Sequence, residues 1–87
     1  MARPKGRPQT SVLLHDNFVR EYVTDLGMAI KIIEAASYFE TEERLSYLFG
    51  YFPEMRELTH WQLARLIGRT RESVTRRMSR ALEIATI

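Results

Sequence analysis

The chain has 87 residues and about 10.2 kDa, with 13 basic and 11 acidic side chains and a net charge of +2. That length allows one domain at most, and a chain this small buries so little surface that a partner subunit would help it. With no cysteine, a disulfide framework, thiolate zinc, iron–sulfur clusters and cysteine nucleophiles are excluded. No apolar run approaches a membrane span, and the basic start is followed by too short an apolar stretch for a secretory signal, so a cytoplasmic location is expected.

The small net charge conceals a segregation. Residues 1–20 carry four bases against one acid, residues 21–57 three bases against eight acids, and residues 58–87 six arginines against two acids. The blocks are therefore +3, −5 and +4, two basic ends around an acidic middle. Such segregation is expected where particular surfaces meet a polyanion, although scattered solvated charges would also produce it in counts this small.

Residues 1–10 hold Pro4, Gly6 and Pro8 and offer no apolar face, which predicts a flexible basic arm carrying Arg3, Lys5 and Arg7. Residues 11–87 then form a single helical domain. From 11 to 39 the pattern is helical, and Val19, Tyr22, Leu26, Ala29, Ile33 and Ala36 alternate at spacings of three and four. This heptad-like seam, extended backwards by Val12 and His15, predicts a long dimerisation helix in a homodimer; packing inside one small bundle is the alternative. Gly27 lies off the seam and costs about 1 kcal/mol in a helix interior, so the element is continuous, kinked or split near residues 25–27.

A second helix is expected over 41–52, with Thr41 as its cap, Glu42 and Glu43 at the positive helix end, and Leu45, Leu48, Phe49 and Phe52 as its buried face. Pro53 stops it, and a short connector follows. Residues 59–84 hold two further helices. Thr59 and Gln62 fit a capping box, Gly68 fits a left-handed helix end, and Thr70 caps the last helix. No strand pattern appears, and the fold class is all-α.

Two helices joined by a tight glycine turn make a helix-turn-helix, whose second helix enters the DNA major groove. At 100° per residue, Val74, Met78, Ala81 and Leu82 fall on one side of that helix. Glu72, Thr75, Arg76 and Ser79 fall on the other, with Arg80 at the border. Arginine donates twice to guanine and a carboxylate accepts from cytosine, each contact worth about 1–3 kcal/mol of discrimination. Phosphate attraction alone would gain nothing from Glu72. The hydroxyls of Thr70, Ser73 and Ser79 suit phosphate contacts. An arginine-rich surface helix is the plain alternative.

Residues 58–76, LTHWQLARLIGRTRESVTR, resemble the helix-turn-helix of the Crp/Fnr transcription regulators, whose pattern is close to T-x-x-x-[IL]-[AG]-x-x-[LIV]-G-x-[ST]-R-E-[TS]-V-[ST]-R. The resemblance covers residues 58–83. It implies base reading by Arg71, Glu72 and Arg76, with Thr75 close to bases or backbone; Thr59, Arg69 and Arg80 are further candidate DNA contacts. It also likens the seam to that family's dimerisation helix. The chain departs from the family in three respects: nothing here suits a cyclic-nucleotide-binding barrel, no hairpin wing follows the last helix, and Arg77 stands where an apolar residue is common. A small-molecule effector is accordingly not expected. Sigma-factor region 4 is a narrower second resemblance, carried by Thr70-Arg71-Glu72 and Ser79-Arg80-Ala81-Leu82.

The arm Arg3-Pro4-Lys5-Gly6-Arg7-Pro8 is similar to an AT-hook core, which would place arginine in the narrow minor groove of A·T-rich DNA. Phosphate attraction and an inert tail are the alternatives. His15 and His60 lack metal-ligand spacing. His15 reads as a packing residue, His60 as a helix-start residue near phosphate, and Trp61 as packing against a neighbouring element. Glu40, Glu42 and Glu43 read as a solvated helix end. No phosphate loop, nucleophile elbow or metal motif is present, so neither an enzyme nor a cofactor is expected.

The expected function is a sequence-specific transcription regulator that binds double-stranded DNA as a homodimer, with recognition helices about 34–36 Å apart. The competing readings are an architectural, nucleoid-type DNA-binding protein and an interaction module that docks residues 38–52 on polymerase or another regulator.

Overall fold

The computed structural model describes residues 17–86, which form five α-helices and one 3-10 turn. The helices are α1 (Asn17–Tyr22), α2 (Leu26–Ala35), α3 (Thr41–Tyr51), α4 (His60–Ile67) and α5 (Arg71–Ala85); the turn is Pro53–Glu57. No strand occurs among the described residues, so the chain is all-helical there.

Of the segment expected as a continuous, kinked or split helix, the described part is split in two. Asp25 adopts extended backbone angles and its carboxylate accepts from the Gly27 N–H at 2.8 Å, so it caps α2 and separates it from α1. Gly27 therefore lies in the first turn of α2, where its N–H serves the cap, and not in the middle of a helix. The residues between, Val23 to Asp25, turn the chain, and the six seam residues no longer share one continuous stripe. Val19 and Ala29 are buried in the chain's own core, Tyr22, Ile33 and Ala36 are half-buried, and Leu26 is 72% exposed. Periodicity at three and four marked apolar helix faces correctly but ran them across a break that a single Asp cap creates. The 1–10 arm, with Arg3, Lys5 and Arg7, and residues Val12 and His15 lie outside the described residues.

α3 is the centre of the core. Leu45, Leu48 and Phe49 are fully buried, and α3 packs most extensively against α5, through Val74 and Ala81. Leu63, Ala64, Leu66 and Ile67 bring α4 into the same cluster, and Ile32 and Ala35 bring α2. Burial of a Leu or Phe side chain contributes about 1.5–3 kcal/mol, so these four helices hold the domain together. The connector expected after Pro53 is the 3-10 turn, pinned by the buried Met55. Among the described residues, no helix is long and apolar enough to cross a membrane.

The start of α3 differs from expectation. Glu40 occupies the cap position without a side-chain hydrogen bond, and Thr41 is the first helical residue. Thr41 is buried, and its hydroxyl meets the Ser73 hydroxyl on α5 at 2.8 Å instead of capping its own helix.

Candidate nucleic-acid interface

α4 and α5 are two capped helices joined by a short turn. Thr59 caps α4 by accepting from the Gln62 N–H at 3.1 Å, and the Gln62 side chain accepts from the Thr59 N–H at 2.9 Å, completing the capping box. Gly68 ends α4 at φ 71°, a left-handed conformation that glycine adopts without a Cβ clash. The Arg69 N–H then donates to the Ala64 carbonyl at 3.0 Å, closing the turn. Thr70 accepts from the Ser73 N–H at 3.1 Å and starts α5. Three residues thus separate eight-residue α4 from fifteen-residue α5.

Three side-chain contacts hold α5 laterally, one to α4 and two to α3. On one flank of α5, His60 Nδ1 lies 2.8 Å from the Thr75 hydroxyl, tying the start of α4 to α5. On the other flank, Ser73 meets Thr41 and the Arg77 guanidinium lies 3.7 Å from the Glu42 carboxylate on α3. This explains why an arginine is accommodated at 77: it faces α3, where Glu42 supplies the charge. Glu42 is correspondingly largely covered and is not part of a solvated acidic run.

Between those flanks lies the outward face. Arg71, Glu72, Thr75, Arg76, Ser79 and Arg80 are all exposed, while Val74 and Ala81 are buried beneath them. Among the described residues, no ion pair or side-chain hydrogen bond engages Arg71, Glu72 or Arg76. Arg80 differs, since it pairs with Glu83 at 3.3 Å. Of the hydroxyls expected to touch phosphate, Thr70 and Ser73 are already engaged within the protein, whereas Ser79 is exposed. Thr59 and Thr70 accept from backbone N–H groups, which leaves each O–H free to donate outward, whereas Ser73 points towards α3. Thr75 is held by His60.

Arg44, Phe39 and the ring of Trp61 complete the surroundings. Arg44 Nη1 donates to the Ile67 carbonyl at 2.7 Å, Nε to Tyr38 at 2.7 Å and Nη2 to Ala36 at 3.2 Å. Burial, and then the charge of Arg69, lower this guanidinium from its ordinary value. Trp61 is half exposed and packs against Phe18 at 6.3 Å between ring centroids. Arg69 donates to the Phe39 carbonyl, and its guanidinium stands 5.8 Å from the centre of the Phe39 ring. Phe39 is itself 79% exposed. Sequence reading passed over Arg44, although it is the only basic side chain between Lys31 and Arg56, and nothing local marked Phe39. Among the described residues, no cluster of His, Asp and Glu suits a metal ion. No protein-family model, curated protein or solved structure matches the chain.

Proposed function

We propose that the protein is a sequence-specific DNA-binding regulator whose helix α5 enters the major groove. The observation that carries this reading is the unengaged row of Arg71, Glu72 and Arg76 on an exposed helix face, presented by a capped three-residue turn. Arginines and a carboxylate at that spacing match the donor and acceptor pattern of base edges. The likeness of residues 58–76 to the Crp/Fnr helix-turn-helix supports the same assignment, and the capped hydroxyls of Thr59 and Thr70 supply phosphate donors beside it. Selection of binding sites from random duplexes tests it. A defined motif is the expected result, and recovery of A·T-rich sequence without a motif would favour an architectural role.

The homodimer belongs to the same proposal, on a smaller face than the original seam. Leu26 and Ile30 are 72% and 45% exposed on α2, and Ile33 lies beside them. Two recognition helices joined through α2 would read half-sites one helical turn apart. One observation favours a second reading, as an interaction module: Tyr38, Tyr47 and Tyr51 lie in series with tilted rings, their centroids 5.3 and 5.1 Å apart. Failure to bind any duplex at low salt would promote it.

A further inference from the structure

Base reading by α5 leaves the open groove beside its first turns unexplained. Phe39 and Glu40, from the link between α2 and α3, line one wall, and Arg69, Arg76 and Arg77 line the other, around about 290 Å³. Three guanidiniums face one carboxylate there. Arg77 is partly neutralised by Glu42, so the uncompensated positive charge sits on Arg69 and Arg76. Arg69 is fixed in position by its bond to the Phe39 carbonyl and its place over the Phe39 ring, and a guanidinium has further donors to offer. Phe39 leaves most of an apolar ring in water at the rim of a basic groove. A duplex whose major groove admits α5 must bring its flanking strand past this rim, and half or more of the hydrogen bonds in protein–DNA interfaces go to sugar and phosphate.

We propose that this groove seats one backbone phosphate of the bound duplex, held by Arg69 and opposed by Glu40, with the Phe39 ring against the adjoining deoxyribose. The proposal rests on α5 being the DNA-reading helix, and it adds the link before α3 to the DNA-contacting surface. Glu40 is then a built-in brake on affinity, because its carboxylate shares the groove with the phosphate.

The test is binding to a mixed-sequence duplex of two helical turns, about 20 base pairs, measured by anisotropy over a range of salt, alongside site selection for base preference. Glu40→Gln, which removes a charge but no hydrogen bond of the cap, should tighten binding about threefold, as expected for one like charge some 6 Å from a phosphate in water. Arg69→Ala should weaken binding and flatten the salt dependence by about one counterion. Phe39→Ala should weaken binding without changing that slope. None of the three should alter base preference. If Glu40→Gln and Arg69→Ala both leave affinity and slope unchanged while Glu72→Ala still alters base preference, the groove holds no phosphate and base reading stands. If the wild-type chain binds no duplex at any salt, the recognition-helix reading and this proposal fall together.

Discussion

The guanidinium of Arg44 donates to the carbonyl of Ile67 at 2.7 Å, joining the middle helix of the core to the last residue of α4. The same side chain reaches Tyr38 and Ala36 at the end of α2. Carbonyls at helix ends have no partner within their own helix, and one charged donor here satisfies two of them, at Ile67 and Ala36, together with the Tyr38 carbonyl in the link. Arg44→Ala should therefore destabilise the domain by about 2 kcal/mol, the scale of hydrogen bonds to a charged group in a half-buried site. Arg44→Lys should recover less than half of this, because an ammonium cannot match the spread of the planar fork. Urea unfolding of the two variants measures both, and equal stability of wild type and Arg44→Ala would refute the hub.

Thr41 and Ser73 share a hydroxyl–hydroxyl contact at 2.8 Å between α3 and α5. Thr41→Val and Ser73→Ala should each cost about 1 kcal/mol, because each leaves a hydroxyl without its partner. The double variant should cost less than the sum, and a double-mutant cycle reads the difference directly. Strict additivity would mean that the pair contributes no coupling.

Glu34 accepts from the Tyr47 hydroxyl at 2.5 Å and from Lys31 at 3.1 Å, and these bonds, Tyr47's first, hold its carboxyl below the ordinary value. Donation to Glu34 in turn pushes the Tyr47 hydroxyl up to about 12. A depressed carboxyl adds stability above its unfolded value, about 4.3, and that stability is lost as pH falls through the lower folded value. A raised phenol adds stability below its unfolded value, about 10, and loses it as pH rises towards 12. Tyr47→Phe should move the Glu34 titration upwards and remove the alkaline loss. An NMR titration of the Glu34 carboxyl that stayed where it was would contradict the assignment.

Glu72→Ala should relax base preference more than it lowers total affinity, since a carboxylate on the outward face repels phosphate and can gain only from a base edge. Comparing the selected motifs of wild type and variant decides this. A uniform loss across all sequences would exclude direct readout by Glu72.

Leu26 and Ile30 lie exposed on one face of α2. Replacing both, as Leu26→Lys with Ile30→Glu, should reduce the sedimenting mass to one chain while leaving helix content unchanged. A wild-type chain that already sediments as a monomer would remove α2 as a dimer face.

Where the expectation depended on neighbours a few residues apart, it was legible. The capping box of Thr59 and Gln62, the left-handed Gly68 and the Thr70 cap are local hydrogen-bond chemistry, and each stands in the structure as read. The heptad seam is interrupted at Asp25, one of the outcomes left open by the sequence, because an Asx cap ends a helix at one residue, whereas periodicity averages over many. Thr41 failed for a different reason: a hydroxyl at a helix start can serve its own backbone or a distant partner, and only the approach of α5 selects between them.

The sequence by itself determined the all-helical character, the start and stop of the two C-terminal helices and which face of α5 is polar, because all three follow from spacing and short-range capping. The tertiary structure decided what that face is held against. Arg44 reaches Ile67 across 23 positions, Thr41 reaches Ser73 across 32 and Arg69 reaches Phe39 across 30. Such contacts exist only once the apolar core of α3, α4 and α5 has closed, and no local pattern encodes them. They also separate the hydroxyls turned inward from the side chains left exposed on α5.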